Sequence, residues 1–396
     1  MKKLVLFGAG NIGRSFIGQL FSRSGYEVVF IDIVEPMIEA LNKCGSYNVI
    51  IKSDKEEIIK VNHVRGVLAS DKEKVAEEVS TADIIASCVG NNALPHIIPL
   101  IAEGLAKRYK RDKNLPLDII IALNMRDAAE YFEKELSKIA ANDYPLNGLV
   151  GLVETSIGKM VPIMTKEDME TDILQIFAEP YNNLILDKKA FKNPIPDVKG
   201  LSPKDNMKAW VDRKLFIHNL GHVSAAYCGF YYYPDLKYMH EILGHDEIRS
   251  FTREAMLQSS RVLDTIYPGV FTSKHFQDHI EDLISRFRNK ALGDTVFRVG
   301  CDLQRKLGSN DRLLAPFHAG IRLNIPVDKI SEAICFGTHF SAKDEKGHLL
   351  NGDAEFIKMV DAEGLKQVMK KICNLDEHGY EIINKQFVKY EKSKFQ

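Results

Sequence analysis

Lys3-Leu4-Val5-Leu6-Phe7-Gly8-Ala9-Gly10-Asn11-Ile12-Gly13-Arg14 decides the fold of this chain. Its first five residues read as a short buried strand. Gly8 through Gly13 then spell G-x-G-x-x-G and run directly into a helical pattern, the setting in which that motif binds a dinucleotide. Gly8 permits the tight turn, Gly10 lets the backbone approach a pyrophosphate with no Cβ in the way, and Gly13 lets the helix pack on the sheet. Asn11 and Ile12 stand at the helix N-terminus, where unpaired N–H groups and a partial positive charge suit a phosphate. Val28-Val29-Phe30-Ile31-Asp32 then places an acid at the end of a second strand, 19 positions beyond Gly13. A carboxylate there accepts the adenosine ribose hydroxyls and repels a 2′-phosphate, so NAD is expected over NADP. Ser87-Cys88-Val89-Gly90-Asn91-Asn92 ends a further strand, and Val89, Gly90 and Asn91 fall where a loop passes over the nicotinamide ribose. Arg14 has two readings, a phosphate contact or a solvated helix residue.

Outward from this motif, short apolar runs alternate with amphipathic stretches, which predicts a parallel sheet with crossover helices. Strands are expected at 3–7, 27–32, 83–88, 117–123 and 148–155, and helices at 14–24, 36–43, 71–79, 94–106 and 127–140. Two extended segments come next, at 172–179 and 182–186. The stretch 191–203 carries Pro194, Pro196 and Pro203 and is the best connector, since no helix continues through it. Beyond it the periodicity is mostly helical, beginning with a long pattern over 210–227. The expected architecture is α/β: an N-terminal Rossmann-type doubly wound sheet over 1–195, then a mostly α-helical C-terminal domain over 196–390. The polar tail at 391–396 is expected to fray.

Composition narrows the function classes. The 396 residues hold 53 Lys plus Arg against 54 Asp plus Glu, a balance that speaks against a nucleic-acid partner or a polybasic membrane binder. Cys44, Cys88, Cys228, Cys301, Cys335 and Cys373 form no C-x-x-C pair, which fits reduced thiols. The opening apolar run meets Gly8 too early for a signal peptide, and no stretch reaches membrane-spanning length. The expectation is a cytoplasmic monomer acting on a small molecule.

Oxidising an alcohol requires a base for the hydroxyl proton and donors for the oxygen that becomes alkoxide-like. Lys214-Leu215-Phe216-Ile217-His218-Asn219-Leu220-Gly221-His222 offers all three groups. At about 100° per residue, Lys214, His222 and Asn219 lie at roughly 0°, 80° and 140° around a helix, so they share one side. Lys214 would be the general base, its amine made less basic by desolvation. Asn219 would donate to the developing oxyanion, and His222 would orient the hydroxyl or share in proton relay. On an isolated surface helix the same side chains would simply be solvated. Asn124 supplies a partner from the other domain, at the C-terminal end of a strand, where open α/β sheets bind ligands. The spacing of His218 with His222, and of His275 with His279, is that of a zinc pair. Neither carries the Glu of H-E-x-x-H and no thiolate is near, so no metal is expected. Cys88 reads as a small buried hydrophobe rather than a nucleophile.

These residues resemble the polyol-specific long-chain dehydrogenases, whose K-x-x-x-x-N-x-x-H signature is met by Lys214, Asn219 and His222. The opening through Phe16-Ile17-Gly18, Asn124-Met125, Arg286-Phe287-x-Asn289 and Asp311-Arg312-Leu313 are also similar, and the likeness runs to about 385. The chain length suits the phosphate-polyol branch of that family. The resemblance implies a lysine base, an oxyanion hole from the two asparagines, a substrate-binding histidine, no metal and a helical second domain. It also implies that Arg286 contacts substrate, although the residue alone could be an ordinary surface charge. The implied reaction interconverts mannitol 1-phosphate and fructose 6-phosphate with NAD. A free polyol or hexuronate dehydrogenase is the alternative, and an NAD-binding sensor without turnover is a more distant one. Three departures from the family pattern stand out: Leu123 is where Glu is usual, Gly158-Lys159 replaces Asp-Arg, and Lys290 replaces Pro. Arg126, Lys159, Arg286 and Lys290 are the cations available for a phosphate, and the sequence does not choose among them.

Overall fold

A computed structural model describes residues 1–53, 55–140, 144–164 and 166–393, which form two compact units, Met1–Val211 and Asp212–Gln396. The first unit is built on an eight-stranded sheet in the order β11-β10-β8-β7-β6-β1-β2-β5. Its central strands are β1 (Lys2–Phe7), β2 (Tyr26–Asp32), β6 (Ile84–Ser87), β7 (Leu117–Ile121) and β8 (Val150–Ser156), all parallel. Leu4, Leu6, Val28 and Phe30 fill one face and Val5, Phe7, Val29 and Ile31 the other, because successive strand residues point to opposite sides. Helices cover both faces, which is why these strands read as unbroken apolar runs.

Three strands before residue 70, and β11 at the far edge, were not evident in the sequence. β3 (Ser46–Ile51) pairs antiparallel with β4 (Glu57–Asn62) and parallel with β9 (Ile176–Ala178) in a small separate sheet, and β5 (Val64–Leu68) extends the main sheet beside β2. Glu57, Lys60 and Arg65 interrupt the alternation of β4 and β5, and Ile58 of β4 stays exposed. At the far edge β10 (Leu184–Asp187) runs antiparallel to β8, and β11 (Leu201–Lys204) runs parallel to β10. Because β11 belongs to this sheet, the structural division falls after the proline-bearing stretch rather than within it.

Asp118 is the one acid inside the apolar run of β7 and is almost wholly buried. Its carboxylate accepts the Lys192 N–H at 2.7 Å, the Asn193 N–H at 3.2 Å and the Asn193 side-chain N–H at 2.8 Å. It thereby closes the chain leaving β10 against β7. A buried carboxylate is tolerated there because those donors surround it.

The second unit is helical. Its central helix, Leu220–Tyr232, is apolar on nearly every side and buried through most of its length, as expected of a helix enclosed by others. Asp246–Ile266 and Asp328–Thr338 pack against it. The segment read as one helix over 210–227 is interrupted by a π turn at Lys214–Asn219. The helix Glu377–Ser393 includes the first three residues of the polar tail, and 394–396 lie outside the described residues. Among the described residues no helix is long and apolar enough to cross a membrane. All six cysteines are free thiols.

Replacing Asp118 by Ala should strand the 192–193 backbone donors and lower unfolding free energy by about 2 kcal/mol in urea titration. An unchanged midpoint would show that water satisfies those groups.

Candidate active site

β1 ends beside both β2 and β6, with Phe7 paired to Ile31 and to Ser87. The glycine turn, Asp32 and the loop after β6 therefore leave the sheet at one edge. Gly8 has φ +98°, and a Cβ at Gly13 would meet the Gly8 carbonyl oxygen at 2.0 Å, so both positions require glycine. Nothing lies within 4 Å of where a Gly10 Cβ would stand, and Gly10 and Asn11 are exposed. The helix begins at Asn11 and its first backbone bond runs from Arg14 N–H to the Gly10 carbonyl at 3.0 Å. The N–H groups before it, including those of Ile12 and Gly13, are without partners within the helix. Asp32 accepts the Ala9 N–H at 2.6 Å and the Val34 N–H at 3.0 Å. Those two bonds leave acceptor capacity on the carboxylate for ribose hydroxyls. Val89 is half-buried, and Gly90 and Asn91 are exposed at the start of a short 3-10 turn. An open glycine turn, free helix donors and an anchored acid fit a dinucleotide.

Neither sequence reading of Arg14 holds. Its side chain is buried and donates to the carbonyls of Ala9 at 2.6 Å, Ile173 at 3.0 Å and Leu174 at 2.7 Å. It ties the glycine turn to the 173–175 segment and is spent on protein. Lys159 is likewise no phosphate cation. Its buried ammonium donates to the Glu179 carbonyl at 3.0 Å, the Tyr181 carbonyl at 2.7 Å and the Asn182 side chain at 3.2 Å. Burial pushes the Cys88 thiol up, away from thiolate chemistry.

Asn124 and Arg126 lie exposed just beyond β7, at the same C-terminal edge of the sheet. The helix Ala128–Ile139 comes after them, and Glu154 of β8 accepts the Ala128 N–H at 3.1 Å. Glu154 thus fixes where the Asn124–Arg126 turn ends. Burial pushes its carboxyl up from the ordinary value.

In the second unit the π turn changes the angular bookkeeping. Each residue of an i→i+5 helix advances by about 80° instead of about 100°. Five such steps bring Asn219 to roughly 40° from Lys214, and three α-helical steps then return His222 close to the lysine's own direction. The three groups are better aligned than a regular helix allows. Leu215, Phe216 and Ile217 are buried around them. Lys214 retains partial surface as a residue while its amine is enclosed by protein. That burial, with the Arg312 charge adding to it, pushes the amine down to about 8.

His222 stacks on Phe287 with ring centroids 4.4 Å apart and planes 5° from parallel. Its Nε2 lies 3.1 Å from Asp294 Oδ2, within ion-pair distance but not aligned for a regular hydrogen bond. Burial alone would raise the Asp294 carboxyl, yet His222 and Arg298 outweigh it and hold it below the ordinary range. Arg298 takes the other oxygen at 2.6 and 2.7 Å. Asp294 went unread in the sequence because nothing in its neighbourhood distinguishes it from 53 other acids. His218 packs edge-on to Phe287 and is held neutral by burial, then by the charges of Arg286 and His222. Arg286 is thus brought close to this turn, and its side chain is nearly buried, 3.4 Å from Asp282. His275 meets Arg213 at 2.7 Å. Among the described residues no three His, Cys, Asp or Glu side chains group as a metal site would require.

A glycine turn opening at the edge of a parallel sheet, an acid closing β2 and a helical unit that desolvates a lysine define an NAD-dependent dehydrogenase of CH–OH groups. Residues 2–200 match the Mannitol dehydrogenase Rossmann domain and residues 206–392 the Mannitol dehydrogenase C-terminal domain. The chain belongs to the mannitol dehydrogenase family. It is 36% identical to mannitol-1-phosphate 5-dehydrogenase of Geobacillus stearothermophilus over 79% of this chain and 80% of that one. Identity to the enzyme of that name from Bacillus velezensis is 33%, over 94% and 95%. The fold resembles D-sorbitol dehydrogenase in substrate-free form (TM-score 0.76, 17% identity, 98% of this chain and 93% of that one). It also resembles Pseudomonas fluorescens mannitol 2-dehydrogenase solved as a ternary complex with NAD and D-mannitol (TM-score 0.72, 13% identity, 98% and 94%).

Asp32→Ala should weaken NADH binding and relax the rejection of NADPH, read by titrating each coenzyme against protein fluorescence. An unaltered preference between the two would remove Asp32 from the adenosine site.

Proposed function

We propose that this chain interconverts mannitol 1-phosphate and fructose 6-phosphate with NAD, using Lys214 as general base. The enclosed Lys214 amine, aligned with Asn219 and His222 by the π turn, carries the reading. The relatives named mannitol-1-phosphate 5-dehydrogenase support the substrate. When bound, NAD supplies the acceptor for the hydride that leaves the alcohol carbon. The neutral Lys214 amine takes the proton of the substrate hydroxyl and becomes an ammonium. Asn219 donates its amide N–H to the oxygen as negative charge gathers on it. Asn124, on the nucleotide unit, is assigned as the second amide donor. His222, braced by Phe287 and Asp294, holds the hydroxyl in line with the lysine. In the reducing direction the Lys214 ammonium returns its proton to the carbonyl oxygen.

An amine near 8 makes the two directions depend oppositely on pH. Oxidation needs the neutral amine, so its kcat/KM should fall about tenfold per pH unit below that value and level off above it. Reduction needs the ammonium, so its kcat/KM should hold below that value and decline above it. Both profiles can be followed by NADH absorbance at about 340 nm over phosphorylated and free substrates. Lys214→Ala should lower kcat by several orders of magnitude with NADH affinity nearly unchanged. Retention of more than about a tenth of the rate would refute the assigned base.

A further inference from the structure

Arg312 is a cation to which the proposed reaction gives no task. It precedes the helix Leu314–Arg322 and its side chain is only 11% exposed. Asp311 holds it from one side: a single carboxylate oxygen accepts the Arg312 backbone N–H at 2.6 Å and the Arg312 Nε–H at 2.7 Å. The other Asp311 oxygen lies 3.5 Å from Arg305. The two terminal Nη groups of Arg312 make no hydrogen bond to any described residue. The guanidinium is thus oriented through Nε, largely withdrawn from solvent, and presents its outer donors unspent.

Two further cations lie within electrostatic reach. One is the Lys214 amine. The other is Lys306, a buried lysine whose ammonium donates to the Val299 carbonyl at 2.7 Å. Asp311 is the direct counter-ion of Arg312, and Asp302 and Asp353 act on Lys306, so the outer donors of Arg312 are the part of the cluster open to an added anion. A guanidinium with both Nη groups available receives a phosphate in bidentate fashion. In an open-chain ketose 6-phosphate, six single bonds separate the reacting carbonyl carbon from phosphorus, roughly 7.5 Å when extended.

We propose that Arg312, aimed by Asp311, is the anchor for the substrate phosphate and the residue that sets preference for phosphorylated over free substrates. This rests on the sugar phosphate reading of the site. The anchor would hold the far end of the chain while Lys214 meets the reacting end, so binding energy from the phosphate is used to place the hydroxyl.

The test compares kcat/KM for fructose 6-phosphate with kcat/KM for fructose in the wild type, Arg312→Gln and Arg312→Lys. Both substrates use the same base, so the ratio is insensitive to any change in Lys214 basicity. Arg312→Gln should reduce the ratio at least about a hundredfold, mainly through a raised KM for the phosphate. Arg312→Lys, which keeps the charge but loses the fork, should reduce it about tenfold and serves if the glutamine variant does not fold. A ratio within about threefold of wild type in a folded variant would overturn the anchor while leaving the sugar phosphate reading intact. A wild-type ratio near one would instead overturn the substrate reading, and the anchor with it.

Discussion

Removing one ammonium group from water is the constraint on which the proposed chemistry depends. A lysine in bulk solvent keeps its proton at neutral pH and cannot act as a base. The helical unit changes that by enclosing the Lys214 amine beside buried Leu215, Phe216 and Ile217 and within reach of the Arg312 charge. Both effects disfavour the charged form, so they add. His218, on the same π turn, is itself held neutral and supplies no compensating anion. The carboxylate close to His222, that of Asp294, is balanced by Arg298.

The same local device recurs in both units. Gly13–Gly18 and Lys214–Asn219 are each π turns, and each lies where a functional motif meets a helix. An i→i+5 turn widens the helix and shifts every later side chain around its axis. In the first unit the Arg14 carbonyl within the turn accepts the Tyr47 hydroxyl at 2.7 Å, while the Arg14 side chain ties to the 173–175 segment. In the second, the turn brings Asn219 and His222 toward the direction of Lys214. Position along the chain and position around the axis are thus separate variables, and the π turn acts on the second.

The strands and crossover helices of the nucleotide unit were legible because each carries its own periodicity. Val28 to Asp32 needs no distant partner to be read as a buried strand ending in an acid. β3, β4 and β5 were not legible: β4 is mostly exposed, and the short runs of β3 and β5, though largely buried, acquire a strand's environment only by pairing with β9 and β2. Arg14 and Lys159 show the converse. Both look like available cations in the sequence, and both are consumed by backbone carbonyls supplied from elsewhere in the first unit. Asp294 became visible only when tertiary packing set it against His222, and Arg312, in the sequence only part of a family-like triplet, acquired its setting near Lys214 in the same way.

From the sequence alone came the class of fold, the coenzyme and the candidate set Lys214, Asn219 and His222 that the proposed function uses, because glycine geometry, apolar period and short spacings are local properties that neighbours along the chain fully specify. Tertiary structure decided how those three side chains are turned, which acid braces the histidine and which arginine keeps its outer donors unspent. Those outcomes depend on which remote groups compete for each charge and how much water packing removes, and neither is written in any single stretch of residues.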